Sequence, residues 1–199
     1  MKYSICLLYI ICFMYGGLCS CSHKSDHQRS IESKQDGQTL MEAYKNHNWN
    51  VVVAIGDTLI GDDDPKNITI PYAEALAAVG NYQKAIILLD KKITKNPSDY
   101  YLFETKGNVF YAAEEFDSAL VNYEIVISMK PTYARPYINE GEIYEIVGEK
   151  EKAISSYIVA AKLFAVNNFS NESLEFCNRV LNLDPSNIEA KEIKEELIK

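Results

Sequence analysis

The chain has 199 residues, of which 47% are hydrophobic, 11% aromatic and 24% charged. This composition is typical of a globular protein and excludes a disordered or collagen-like chain. Twenty Lys and Arg against 28 Asp and Glu give a formal net charge of −8, which repels phosphate backbones and argues against nucleic-acid binding. The mean hydropathy of −0.18 argues against a protein with many membrane spans.

The first twenty residues have the pattern of a secretory signal peptide. Lys2 precedes an uncharged stretch at residues 5–18, which is shorter than the roughly 20 apolar residues of a membrane-spanning helix. The stretch ends in Leu-Cys-Ser-Cys at residues 18–21 and resembles a bacterial lipobox, in which the final cysteine becomes the lipidated N-terminus. We expect a signal peptide at 1–20 and lipidation at Cys21. A plain cleaved signal and an uncleaved anchor helix are the alternatives.

The positions of the five cysteines do not indicate a disulfide scaffold. Cleavage would remove Cys6, Cys12 and Cys19, and Cys21 would be acylated. Cys177 is then the one remaining thiol, so no internal disulfide is predicted. Its apolar neighbours predict a small buried side chain in a helix.

Residues 21–37 are predicted to be a lipidated, flexible tether, because residues 22–37 contain a single aliphatic residue among polar ones. His23 and His27 lie four residues apart there, but a metal site needs further ligands. The acidic run at 62–64 is followed by Pro65 instead of the spaced ligands and glycine of a calcium loop. We therefore predict no metal and no cofactor.

Several residue types recur at 34-residue intervals through the middle of the chain. Four sets share this spacing: Ala73, Gly107 and Gly141; Leu76, Phe110 and Tyr144; Ala85, Ala119 and Ala153; Pro97 and Pro131. Such a period indicates stacked structural units. The pattern of a small residue, a large one three residues later, an alanine and a closing proline resembles the tetratricopeptide repeat.

This resemblance covers residues 38–199 and implies an all-α fold, an α-solenoid of stacked antiparallel helix pairs. Units are expected at 38–65, 66–99, 100–133 and 134–167, with an atypical C-terminal unit and cap at 168–199. Helical periodicity and turn residues predict helices at 38–47, 50–60, 67–79, 83–95, 99–113, 117–129, 134–147, 150–166, 171–183 and 187–198. Residues 150–166 match both the second helix of one unit and the first helix of the next. Either the stack shifts its register there or the last unit is irregular.

In this family, fixed positions of each first helix line an inner groove. The resemblance places in it Asn67, Ile70, Glu74, Ala77, Tyr101, Glu104, Asn108, Tyr111, Arg135, Ile138, Glu142 and Glu145. Four carboxylates with Arg135 as their counter-charge predict an acidic groove, and Tyr101 and Tyr111 offer rigid contact area. The expected partner is a protein or peptide with basic and apolar residues. A solvated acidic face without a ligand is the alternative.

No catalytic motif is found: the chain has neither a glycine-rich phosphate loop nor a paired-cysteine motif. We therefore expect a non-enzymatic, lipid-anchored protein–protein interaction scaffold of the bacterial cell envelope. Its expected location is the outer membrane, on the periplasmic or the surface face, without nucleic-acid or small-molecule partners. An obligate subunit of an outer-membrane assembly, pilus or secretion machine is the first alternative, and an envelope hydrolase is a remote one.

Overall fold

A computed structural model describes residues 26–60 and 66–198, with side chains at 36–60 and 68–197. The predicted signal peptide, Cys21, His23 and the acidic run at 62–64 lie outside the described residues. The chain divides into two units between Asp36 and Gly37. Of the first unit, the structure describes helical backbone from Asp26. The helices are α1 (Asp26–Lys45), α2 (Trp49–Leu59), α3 (Lys66–Ala78), α4 (Tyr82–Lys95), α5 (Tyr100–Ala112), α6 (Phe116–Met129), α7 (Ala134–Ile146), α8 (Lys150–Val166), α9 (Ser170–Leu183) and α10 (Ile188–Ile198).

The helices α2 to α10 begin and end within one residue of the predicted bounds. The exception is α1, which begins at Asp26, inside the stretch predicted to be a flexible tether. That stretch has no proline and is rich in Gln, Glu, Lys and Arg, all of which propagate a helix well. The low apolar content of this stretch excludes a packed core there, but it does not prevent a helix from forming. The same helix is held in place closer to its C-terminal end, where Leu40 and Ala43 are buried.

Five helix ends share one turn geometry. In each turn, an amide donates to a carbonyl five residues earlier: Asn48 to Ala43, Asn81 to Leu76, Glu115 to Phe110, Glu149 to Tyr144 and Phe169 to Phe164. The residue before each donor has a positive φ: His47, Gly80, Glu114, Gly148 and Asn168. This is the Schellman arrangement, which satisfies the last carbonyls of a helix and reverses the chain. These turns join the first helix of each pair to the second.

A second turn type joins one pair to the next. The amides of Asp99, Tyr133 and Asn187 each donate to the carbonyl three residues earlier, at 3.1–3.2 Å. A proline follows that carbonyl residue in every case, at positions 97, 131 and 185. Because proline cannot continue the preceding helix, these turns close the units. The first two are separated by one repeat period, whereas the third comes well over one period after the second.

The positions of the turns explain the ambiguous register at 150–166. A Schellman turn follows α7 at Gly148, and another follows α8 at Asn168. These two turns are closer together in the sequence than one repeat period. The repeat pattern expects a proline at position 165, but the chain has Ala165 there. No proline turn therefore lies between these two Schellman turns. Thus α8 is both the second helix of the pair with α7 and the first helix of the pair with α9. The stack shifts its register at this shared helix.

Glycines on the first helices admit large aromatic rings from the helix that follows. A Cβ atom added at Gly107 would lie 2.5 Å from the ring of Tyr123, and Gly141 faces Tyr157 in the same way. Both rings are almost fully buried. Gly56, on the second helix α2, faces Tyr72 of α3 at the same sequence spacing as these two pairs. At Gly107 and Gly141, the small residue predicted from the repeat therefore accommodates an aromatic ring of the next helix.

Beyond the shared helix, α9 and α10 complete the stack. Cys177 is fully buried beside Tyr157, Ala161 and Val180, which confirms the prediction of a small core residue. Ala190 and Ile193 of α10 pack on the same cluster and cover it. The described residues form helices and turns without strands, so the structure is all-α. None of these helices is long and apolar enough to cross a membrane.

Candidate partner-binding groove

The predicted groove residues lie on α3, α5 and α7, the first helices of successive pairs. We call the surface that their side chains share with residues of α9 the groove face. The side chain of Asn67 lies outside the described residues. Ile70 and Ala77 pack against the core cluster around Leu76, so their side chains contribute to the interior. The other predicted residues are engaged in hydrogen bonds, ion pairs or ring contacts, except Ile138, which lines a cleft.

At the N-terminal end of the groove face, Glu74 has a partner from α1. The Tyr44 hydroxyl donates a hydrogen bond to a Glu74 carboxylate oxygen. Burial, together with this bond to an acidic acceptor, raises the pKa of Tyr44 to about 12. Tyr44 therefore remains protonated and able to donate at any physiological pH, and the Glu74 carboxylate is occupied within the chain.

Glu104 is a buried carboxylate in the middle of the groove face, with 6% of its surface exposed. The Tyr133 hydroxyl donates to its two oxygens at 2.9 and 3.1 Å. The Nε atom of Arg135 lies 3.5 Å from Oε1. Burial raises the pKa of Glu104, although the Tyr133 hydrogen bond and Arg135 oppose this effect. The carboxylate that was predicted to attract a basic partner is thus enclosed by its own neighbours.

Asn108 connects two repeats. Its Oδ1 accepts hydrogen bonds from the Tyr123 hydroxyl at 2.9 Å and from the Asn139 amide at 3.1 Å. Burial raises the pKa of Tyr123, which keeps this hydroxyl protonated as a donor. Asn108 therefore holds α5, α6 and α7 together, which is a structural role.

The C-terminal end of the groove face holds an arginine that the sequence analysis did not predict there. Arg179 of α9 donates to Glu145 at 3.0 Å and to Glu142 at 3.2 Å. Its guanidinium carbon lies 4.6 Å from the ring centroid of Tyr157, and the Tyr157 hydroxyl donates to Glu145 at 2.9 Å. Burial opposes the charge of Arg179, but Tyr157, Glu145 and Glu142 raise its pKa. Two of the four predicted groove carboxylates are neutralised in this way.

The sequence contained one signal for Arg179, since it is the single basic residue of α9. That signal was not sufficient, because Arg179 lies 37 residues after Glu142 and 34 after Glu145. Pairing it with them requires α9 to follow a shared α8, which the sequence left open. The prediction of one counter-charge, Arg135, is therefore corrected to two, Arg135 and Arg179.

A cleft of about 580 Å³ opens beside this network. Its walls come from the α6–α7 turn, from α7, from the end of α8 and from the α8–α9 turn. They include three predicted groove residues: Arg135, Ile138 and Glu142. Outside the cleft, Tyr101 is 48% exposed and its ring centroid lies 4.2 Å from that of Tyr100. The exposed contact area of the groove face therefore includes aromatic and apolar groups beside the charged Arg135.

No protein-family model matches the chain. Comparisons with solved structures, however, agree with this architecture. The thermophilic TPR protein TTC0263 of Thermus thermophilus has a TM-score of 0.56 at 14% identity, over 83% of this chain and 98% of that one. MamA of Desulfovibrio magneticus RS-1, from residue 41 to its end, has a TM-score of 0.60 at 18% identity, with 83% and 93% covered.

Two curated proteins share shorter stretches with the chain. Human protein O-mannosyl-transferase TMTC1 is 29% identical over 104 residues, which are 50% of this chain and 12% of the transferase. The serine/threonine-protein phosphatase T of Trypanosoma brucei brucei is 26% identical over 102 residues, which are 51% and 20% of the two chains. The chain therefore spans a fifth or less of the length of these relatives.

The turns, the packing and these likenesses define the class of the protein, an all-α solenoid of stacked antiparallel helix pairs. Its fold is that of the tetratricopeptide-repeat proteins. Solenoids of this kind present extended surfaces for binding.

Proposed function

We propose that this protein is a non-enzymatic, lipid-anchored scaffold of the bacterial cell envelope that binds a partner protein through the groove face. The observation that carries the proposal is the cleft of about 580 Å³ lined by Arg135, Ile138 and Glu142. It lies on the surface that the repeat positions predict for a ligand, and its walls expose the aromatic and apolar groups typical of interaction sites.

The absence of an enzymatic role is part of the proposal. The transferase and the phosphatase named above are much longer than the matched stretch, so their activities belong to those whole proteins. Within the described residues, no three His, Cys, Asp or Glu side chains come together as metal ligands would. Glu104, Glu142 and Glu145 are held by Tyr133 and Arg179, which supports a structural use of these carboxylates.

The charge of the partner departs from the sequence-based expectation of a basic segment. Each carboxylate of the groove face already has a hydroxyl or cationic partner in the chain: Tyr44 for Glu74, Tyr133 for Glu104, and Arg179 for Glu142 and Glu145. A basic partner would have to displace these groups, whereas aromatic and apolar surface is available without displacement.

Site-specific photo-crosslinking tests the groove. A benzophenone amino acid at Tyr101, 48% exposed on the groove face, is expected to crosslink one partner in intact envelopes. The matched control is the same group at Val121, which is 55% exposed on α6 and is not a groove residue. Adducts of equal yield from both positions would contradict binding through the groove face. A partner recovered from Tyr101 alone, and identified by mass spectrometry, is the expected result.

Lipid anchoring rests on the Leu-Cys-Ser-Cys sequence at residues 18–21. We expect radiolabelled palmitate to enter the full chain when it is expressed in a bacterium with the lipoprotein pathway. Labelling should be lost in Cys21→Ser and retained in Cys19→Ser, because the cysteine after the cleavage point receives the lipid. Retained labelling in Cys21→Ser would rule out Cys21 as the anchor without affecting the proposal for the groove.

A further inference from the structure

We propose that the cleft beside the α8–α9 turn binds an aromatic side chain flanked by carboxylates in an internal segment of the partner protein. This inference rests on the proposed function and specifies the partner chemistry at one end of the groove face. The proposed occupant is acidic and aromatic, so its charge is opposite to that of the basic partner that the sequence predicted.

One wall of the cleft is apolar. Ile138, Leu163, Phe164 and Phe169 line the cleft. Phe169 is 54% exposed, and its ring meets Phe164 edge to face at a centroid distance of 6.3 Å. The Phe164 ring also stacks on the Phe176 ring, with a centroid distance of 5.7 Å. A fixed ring beside an exposed ring offers the face and edge that a third aromatic side chain packs against.

The rim of the cleft carries positive charge. Lys130 and Arg135 border the cleft on the side of the α6–α7 turn. Lys130 donates to the Tyr100 hydroxyl at 2.9 Å and lies over the Tyr100 ring, and the described residues give it no carboxylate partner. Its ammonium group therefore remains available to an incoming carboxylate.

Arg135 is available in a similar way. Its side chain is 67% exposed, and its contact with Glu104 is 3.5 Å long. The Glu104 oxygens are already occupied by Tyr133. A guanidinium has five donors and binds carboxylates most strongly as a fork. Because two thirds of the Arg135 side chain is exposed, a partner carboxylate can reach its guanidinium group.

The acidic side of the cleft does not favour a cation. Glu142 is the one carboxylate residue in the lining, and Arg179 donates to it at 3.2 Å. A basic partner side chain would compete with Arg179, which is also anchored on Glu145 and Tyr157. Charge complementarity therefore assigns carboxylates to the α6–α7 rim and an aromatic ring to the apolar wall.

The register shift produces this combination. Elsewhere, a proline turn follows the second helix of a unit, as at residues 96–99 and 130–133. After α8, a Schellman turn at residues 167–169 takes that place and presents Phe169 beside Lys130 and Arg135. The irregular step of this chain therefore contributes Phe169 to the cleft.

Peptide binding tests the proposal. Three blocked heptapeptides, with central Asp-Phe-Asp, Lys-Phe-Lys and Asp-Ala-Asp, carry the same neutral fluorophore and are titrated with the detergent-solubilised full chain. Fluorescence anisotropy should show the Asp-Phe-Asp peptide binding about tenfold or more tighter than either of the others. Arg135→Gln and Phe169→Ala should each weaken it by about tenfold. The matched controls Lys191→Gln and Ile188→Ala, at exposed positions of α10, should leave it unchanged.

Equal or tighter binding of the Lys-Phe-Lys peptide would overturn the assigned charge, and equal binding of the Asp-Ala-Asp peptide would overturn the aromatic occupant. Loss of binding in the α10 controls would show nonspecific attraction and would also overturn it. Circular dichroism confirms that each variant is folded. If none of the peptides binds while Tyr101 still crosslinks a partner, this inference fails and the proposed function stands. If Tyr101 and Val121 crosslink alike, the proposed function fails as well.

Discussion

Glu140 is a buried acid whose surroundings disfavour its charge. It lies on α7 with 9% of its surface exposed. Burial, and then the nearby Glu124 of α6, raise its pKa from 4.5 to about 7. Burial raises the pKa values of Tyr137 and Tyr144 of the same helix, and the charge of Glu140 adds to this effect. A buried position of α7 is thus occupied by a carboxyl group that prefers to be protonated.

The pH dependence of stability follows from this raised pKa. An acid whose pKa is higher in the folded state destabilises the fold as pH rises from about 4.5 to about 7, because ionisation is easier in the unfolded chain. We expect Glu140→Gln to raise the free energy of unfolding at pH 8 by up to about 3 kcal/mol, since the pKa rises from 4.5 to about 7 and one pKa unit is worth about 1.4 kcal/mol. At pH 5 the difference should be small. Urea unfolding followed by circular dichroism between pH 5 and 8 measures both values.

The control for this prediction is Glu192→Gln, an exposed position on α10. Its stability curve should run parallel to that of the native chain at every pH. If the Glu140→Gln curve is also parallel, Glu140 is not the group responsible for the pH dependence.

At the scale of the helix pair, the contact between a glycine and an aromatic ring sets the separation of the two helices. Gly107 of α5 and Tyr123 of α6 form the clearest example, because the ring occupies the space of a missing side chain. Alanine is a better helix former than glycine by about 1 kcal/mol. Here, however, its Cβ atom would lie 2.5 Å from the Tyr123 ring and force the helices apart.

We expect Gly107→Ala to lower the free energy of unfolding by about 1–3 kcal/mol, because overpacking outweighs helix propensity. Gly37→Ala is the matched control, since nothing lies within 4 Å of a Cβ atom on Gly37 of α1. That substitution should be neutral or stabilising. Thermal and urea unfolding measure both. A stabilising Gly107→Ala would mean that Tyr123 moves aside at little cost and that the ring does not set the helix separation.

At the scale of the whole molecule, the stack has separate core clusters along its length. One cluster, around Val52, Leu40 and Ile68, lies near the N-terminal end. Another, around Cys177 and Ile193, lies at the C-terminal end. In a solenoid each unit contacts its neighbours, so stability is close to a sum of local terms. Damage to one end should therefore leave the other end closed.

Cys177 reports on this directly, because its thiol is fully buried and reacts only when the C-terminal cluster opens. With the N-terminal cysteines replaced by serine, Ile193→Ala should speed thiol labelling of Cys177 by about tenfold or more, since it removes packing from the same cluster. Val52→Ala is a comparable deletion at the far end and should change the rate little. If Val52→Ala accelerates labelling as much, the chain opens as one cooperative unit.

Local chemistry was enough to predict the helices and their pairing. Repeating small residues, alanines and prolines placed α2 to α10 within one residue, because a helix and its turn are encoded by residues close together in the chain. Glycine is the residue type that most readily adopts the positive φ of a Schellman turn, as at Gly80 and Gly148, and asparagine follows it, as at Asn168. Glu114, which adopts the same positive φ, was not recognisable as a turn residue from its type.

The groove face shows where local chemistry stops. The sequence alone determined an all-α repeat stack and the burial of Cys177, and it predicted a groove that includes Tyr101, Glu104 and Glu142. Only the tertiary structure decided that α8 is shared by two pairs, and that Arg179 consequently reaches Glu142 and Glu145. The physical reason is the sequence separation of the residues that interact. A helix depends on neighbours a few residues away, whereas the charge of a surface depends on which distant side chains the packing brings within hydrogen-bond distance.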